Sequence, residues 1–207
     1  MTGDDIRKMM MTVADAMDAA RDDLCALDGK IGDADHGIAM AGGFGAVREA
    51  VAAMDGATTT DVFNESAKAF LNAVGASSGP LYATAFMRAG MAVKGKDRLE
   101  DGDASRLVVA MAEGIAARGK ANVGDKTMLD AWQPAADAAT QATGKTAVEV
   151  FSLAADAAET GADATTGLEA RMGRAARLGA RSIGHKDPGA VSAALMLRSM
   201  ANSLVRD

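Results

Sequence analysis

Three carboxylates crowd one glycine-rich stretch of the chain, Asp28-Gly-Lys-Ile-Gly-Asp33-Ala-Asp35-His36-Gly37. Aspartate is a short, hard oxygen ligand. Such a cluster suits Mg²⁺, which takes carboxylate and phosphate oxygens and keeps some of its waters. The spacing is not that of a Ca²⁺ EF-hand, which needs more oxygens and a closing Glu. One Asp alone is as readily a helix cap or an Asx turn, but three in one flexible loop point to a cation.

Three further loops carry groups suited to an anion. Gly75-Ala-Ser77-Ser78-Gly79-Pro80 lies directly before a predicted helix, where small residues let backbone N–H groups approach a phosphate. The plain alternative is an ordinary cap. Arg118-Gly119-Lys-Ala-Asn-Val-Gly124-Asp125-Lys126-Thr127 superficially resembles a P-loop, but Asp125 intrudes before Lys126 and no strand precedes it, so a Walker A motif is rejected. Asp125 is instead expected to cap the helix that follows. Gly173-Arg174, with Arg181-Ser-Ile-Gly-His185-Lys-Asp187-Pro188-Gly189-Ala190, offers forked guanidinium donors and a turn before a helix. Its bland reading is a solvated surface connection. Both histidines, His36 and His185, fall in these loops. With one Cys and two His there is no zinc pattern, and no Ser-His-Asp arrangement is evident.

The elements that must hold these loops are helical. Ile6, Met9, Met10, Val13 and Met17 mark one face of a first helix ending near Leu27. Further helices are predicted at about 38–54, from an N-cap at Thr60 or Asp61, from the Gly75–Pro80 loop to Met91, at 104–117, through Met128, Trp132 and Ala136, at 147–157, at 165–178 and at 190–205. Glu159–Ala164, containing Gly161, reads as a turn. Pro134 threatens to kink its helix. The fold class is all-α, as one domain over residues 1–207.

Composition closes off other classes. Aromatic residues are only 3% of the chain, too few for a β-sandwich or barrel. Net charge is −6 with no basic stripe, which argues against nucleic acid, and no run approaches a membrane span. The single Cys25 and the acidic start, Asp4 and Asp5, fit a cytoplasmic protein without a signal peptide.

Taken in order, Leu27-Asp28…Ile31-Gly-Asp-Ala-Asp-His-Gly37, Ser78-Gly-Pro-Leu81, Arg118-Gly-Lys-Ala121 with Gly124-Asp-Lys-Thr-Met128, Gly173-Arg-Ala175, and Arg181-Ser-Ile-Gly-His185 with Asp187-Pro-Gly-Ala190 resemble the L subunits of dihydroxyacetone kinases. Each stretch is weak alone; five in the right order are specific. The resemblance implies an antiparallel barrel of eight helices with a nucleotide at one end, ADP or ATP. It implies that Asp28, Asp33 and Asp35 hold two Mg²⁺ ions. It also places His36, Gly37, Ser77, Ser78, Gly119, Met128, Arg174, Asp187, Pro188 and Gly189 at nucleotide-contacting positions, with Met128 packed on the base.

The resemblance further implies a partner K subunit that holds the sugar, and a phosphotransferase-system phosphocarrier that recharges bound ADP. Fused ATP-using relatives commonly carry Cys at the position of His36. Other readings open to such a chain are a split ATP-dependent kinase subunit for dihydroxyacetone or a related ketose, and a regulatory module acting on a transcription factor. Ala39, where relatives carry Asn, departs from the pattern.

Overall fold

The computed structural model describes residues 1–75 and 78–205. Among them are nine α-helices: α1 (Gly3–Ala19), α2 (Arg21–Asp28), α3 (His36–Ala52), α4 (Thr59–Ala73), α5 (Ser78–Ala92), α6 (Asp101–Gly119), α7 (Leu129–Gln141), α8 (Ala147–Ala164) and α9 (Pro188–Ser203). Two 3₁₀ segments, Thr165–Gly167 and Ala175–Ser182, lie between α8 and α9.

Eight of these helices close a ring. Each packs on the next in the order α1, α3, α4, α5, α6, α7, α8, α9, and α9 returns to α1. The all-helical expectation and its eight-membered architecture therefore hold, with α2 as a short outer helix against α3 and α9. The methionines and valine that marked the inner face of α1 are all fully buried. Phe44, Phe70, Tyr82 and Phe86 from α3, α4 and α5 meet mostly edge to face, with ring centroids 5.1–6.2 Å apart. Gly43 makes room for them, since a Cβ there would come within 2.5 Å of the Phe70 ring.

Connections between neighbouring helices alternate between the two ends of the ring. At one end Met1 and Leu99 exchange backbone hydrogen bonds, Asp101 accepts from Ala147 N–H at 3.0 Å, and Gly3 abuts Ala57. The four other connections, before α3, α5, α7 and α9, gather at the opposite end.

Several boundaries differ from the sequence reading. The first helix breaks at Ala20, and α2 starts at the next residue, Arg21. The cap of α4 is Thr58, whose hydroxyl accepts from Asp61 N–H, two or three residues earlier than expected. Glu159–Ala164 is not a turn: α8 runs on to Ala164. Gly161 is there because a Cβ would lie 2.1 Å from the carbonyl oxygen of Asp130, so α7 and α8 touch through it. The helix expected over 165–178 does not form: the backbone turns extended at Leu168, and Gly173 adopts a left-handed φ of 66°. Asp125 does not cap α7 either. It accepts from Asn122 N–H at 2.7 Å, while Asp130 accepts from Thr127 N–H at 2.7 Å and Gly124 N–H at 2.5 Å. Pro134 is accommodated inside α7.

Candidate nucleotide and metal site

The four gathered connections enclose a cleft of about 860 Å³, within the range of pockets that hold small ligands. The helices that follow them begin at its wall. Each beginning offers N–H groups with no partner inside the helix, which favours an anion.

Asp28 ends α2 and is buried, and its carboxylate accepts from the N–H groups of Asp35 at 3.1 Å and His36 at 3.4 Å. It thereby does the capping that the side chain of Asp35 does not do for α3. Gly32 lets the loop fold over it, since a Cβ there would meet Asp28 Oδ1 at 2.1 Å. Ala34, between the other two acids, is held at φ 60°, a left-handed conformation costing about 1 kcal/mol or more outside glycine.

Carboxylate oxygens of Asp28, Asp33 and Asp35 all lie within 4.8 Å of one another, one buried and two exposed. Oxygens around a single magnesium are roughly 3–4 Å apart, so small side-chain rotations bring the trio onto one ion. The Arg174 guanidinium already pairs with Asp33 and lies 3.7 Å from Asp35. The cluster thus attracts positive charge, as a metal site must.

His36 opens α3 and its Nε2 lies 2.9 Å from Ser192 Oγ, which donates to Gly189 O at 3.0 Å. With that hydroxyl proton committed, Ser192 accepts from His36 Nε2–H, which fixes the neutral tautomer. Burial lowers the His36 pKa, opposed by nearby Asp28. The pair ties the start of α3 to α9 across the cleft floor. Ser78, buried at the start of α5, lines the opposite wall, and Ser77 lies outside the described residues. Gly119 and Met128 bound the cleft from the α6–α7 side. Asp187, Pro188 and Gly189 complete it where α9 begins, and Arg174 stands at its lip.

Gly37 does not line the cleft. It is buried against α2, where a Cβ would meet Arg21 O at 1.9 Å. Its part is to let α2 press on α3 and so deliver Asp28. Asp187 caps α9 by accepting from Ala190 N–H at 2.8 Å. Burial pushes its pKa up to about 7, opposed by that cap hydrogen bond and by Lys126 and helped by the nearby carboxylates of Asp130 and Asp28.

Sequence reasoning missed Ser192, Asp130 and the destination of Lys126. Asp130 carried a signal, because Thr127-x-x-Asp130 is a capping-box spacing. Ser192 carried none: it meets His36 from 156 residues away.

A model of the DAK2 domain family matches residues 30–202. The chain is 40% identical over 179 residues to the ADP-binding subunit DhaL of PEP-dependent dihydroxyacetone kinase 1 of Listeria innocua, covering 86% of this chain and 85% of that one. It is 38% identical over 180 residues to the corresponding Escherichia coli subunit, covering 86% of each. The L-erythrulose 1-kinase of Mycolicibacterium smegmatis is 35% identical, matching 87% of this chain and 32% of its own length. Among solved structures, the dihydroxyacetone kinase of C. freundii superposes with a TM-score of 0.73 over 96% of this chain. The chain spans about a third of that protein (34%), and at 24% identity the likeness establishes the fold. On the family match and the shared length, this chain belongs to the DAK2 domain family, alongside the ADP-binding DhaL subunits of dihydroxyacetone kinases.

Proposed function

We propose that this chain is the nucleotide-bearing subunit of a dihydroxyacetone kinase, a phosphotransferase component that holds Mg-nucleotide while the sugar is held on a separate K subunit. The observation that carries this reading is the acid trio, with its oxygens within 4.8 Å, set in a cleft where helix beginnings converge. Three carboxylates beside a polyphosphate repel it unless divalent metal lies between. Asp28, Asp33 and Asp35 are the residues that would hold it, as two Mg²⁺ ions. Bound there, magnesium neutralises phosphate charge and stabilises the transferring phosphoryl group.

The chain's own residues bind and orient. Asp28 is fixed by two N–H groups, while exposed Asp33 and Asp35 are paired with Arg174 and would turn toward an ion that displaces it. Arg174, which balances those acids, is placed to move onto phosphate oxygens. The beginnings of α3, α5 and α9 present N–H groups, and Met128 supplies an apolar wall for the base. His36, Asp28 and Asp187 are each already engaged, with Ser192, the α3 N–H groups and the α9 cap respectively. That leaves the work of orienting a sugar hydroxyl to the partner, in accord with the relatives being named as subunits.

We further assign ADP as a retained cofactor, recharged in place by a phosphocarrier in the cytoplasm. The support is His36 at a position where ATP-exchanging relatives commonly carry Cys, and the likeness to subunits named ADP-binding in PEP-dependent kinases. No helix among the described residues is long and apolar enough to cross a membrane. The test is to purify the chain in Mg²⁺ without added nucleotide, dialyse it, denature it and chromatograph the supernatant. Near-stoichiometric ADP is expected, with no turnover of dihydroxyacetone until a K subunit and phosphocarrier are added. An empty protein that uses free ATP with the K subunit would place it with exchanging kinases instead.

A further inference from the structure

The connection from α8 to α9, Thr165 to Asp187, is long and has no α-helix of its own. It nevertheless carries Met172, Gly173 and Arg174 to the lip of the cleft. A loop of this length must satisfy its backbone polar groups if it is to hold one shape. At its centre is Lys126, a lysine only 1% exposed. Four backbone carbonyl oxygens surround the ammonium and share its three hydrogens: Thr165 O at 2.8 Å, Leu168 O at 3.0 Å, Ser182 O at 2.8 Å and His185 O at 2.5 Å. Two of these acceptors lie where the loop departs and two where it returns, so one side chain draws both arms together.

Its neighbours complete the knot. Arg171 N–H donates to Asp125 O at 3.0 Å, and Ser182 Oγ accepts from Ala170 N–H at 2.9 Å while donating to Gly179 O at 2.7 Å. Among the described residues no carboxylate lies within ion-pair distance of Lys126, so its charge is spent on carbonyl dipoles. The residue stands at φ 61°, a conformation that non-glycine residues rarely adopt.

We infer that Lys126 is a positioning residue: its ammonium clamps the α8–α9 loop so that Arg174 stands over the acid trio, and it couples that loop to the Thr127–Met128 wall of the same cleft. The inference rests on the nucleotide reading above. Lys126 borders the cleft, but its ammonium is turned to the loop carbonyls, so it acts through the loop it holds. Lysine suits the task because one compact charge with three donors at the end of a flexible stem can reach acceptors on several sides.

The test uses the full chain, with segment-resolved hydrogen exchange measured without nucleotide and calorimetry with Mg-ADP. In Lys126→Met, amides of 168–185 should exchange at least tenfold faster while those of α1 to α5 stay unchanged, and Mg-ADP affinity should fall at least tenfold. Lys126→Arg, which keeps a charge of a different shape, should recover part of the loop protection. Wild-type exchange in 168–185, or acceleration spread evenly over the chain, would overturn the inference. If Lys126→Met does not fold, the wild-type lysine side-chain ¹⁵N–¹H spectrum decides. One ammonium should show slowly exchanging hydrogens and be lost in Lys126→Arg; exchange as fast as that of surface lysines refutes the clamp. A wild-type chain that binds no Mg-ADP would remove the nucleotide reading, while loop exchange would still judge the clamp.

Discussion

Gly32 and Asp28 share a contact that leaves no room for a methyl group, since a Cβ would sit 2.1 Å from the buried carboxylate. Gly32→Ala is therefore expected to turn Asp28 out of line and lower Mg-ADP affinity about tenfold or more, roughly 1.4 kcal/mol; titration calorimetry checks it, and unchanged affinity counts against Asp28 as a ligand. Asp187 gives a pH-dependent prediction. Burial raises its pKa to about 7, so the folded chain holds a proton that the unfolded chain releases near pH 4. Stability from this group is complete below about pH 4 and is lost as pH rises through about 7. Asn caps a helix as well as Asp does and carries no charge to bury. Without metal or nucleotide, Asp187→Asn should match wild type near pH 4 and exceed it at pH 8 by about 1–4 kcal/mol, read from denaturation midpoints. A variant no more stable at pH 8 contradicts the assignment. At this scale the sequence was uneven. The acid trio was legible because its members are neighbours in one loop. The His36–Ser192 bond and the four acceptors of Lys126 were not, because they depend on chain segments that only the closed ring brings together.

Helix boundaries were legible where apolar spacing or a cap marked them, and failed where tertiary contact overruled local preference. Gly161 read as a turn because glycine weakens an isolated helix, yet it lies inside α8 as the point where α7 comes closest. The stretch from Thr165 read as a helix, but it stops after one 3₁₀ turn, where the carbonyls of Thr165 and Leu168 lie against Lys126. These two failures have the same cause: a backbone group of one element is the neighbour of another element. Gly161→Ala tests the first. Helix propensity alone favours Ala by about 1 kcal/mol, but the collision with Asp130 O forces α7 and α8 apart, at a cost of about 1–3 kcal/mol beyond that gain. Urea denaturation should show net destabilisation, and Mg-ADP binding should weaken because Asp130 orders the loop before Met128. A higher midpoint would show that the contact yields easily.

Alternation around the ring divides the molecule into a working end and a holding end. An insertion of four Gly/Ser residues after exposed Gly144, in the α7–α8 turn at the holding end, should leave Mg-ADP affinity within about twofold, because lengthening a surface loop costs only about 0.6 kcal/mol per doubling. The same insertion after Gly173 should abolish binding by carrying Arg174 away from Asp33 and Asp35; equal tolerance at both places would deny that the ends differ. The closed eight-helix ring itself was legible through the family resemblance rather than from periodicity, which marks helices but not their neighbours. The nucleotide-bearing role rests on the acid trio holding Mg-nucleotide. Calorimetric titration of ADP with and without Mg²⁺, on wild type, Asp33→Asn and Asp35→Asn, tests it most directly, with circular dichroism confirming the fold of each. The expected result is Mg-dependent binding in wild type and its loss, by a hundredfold or more (about 2.7 kcal/mol), in both variants at unchanged helicity. Wild-type Mg-ADP affinity in both variants would contradict it.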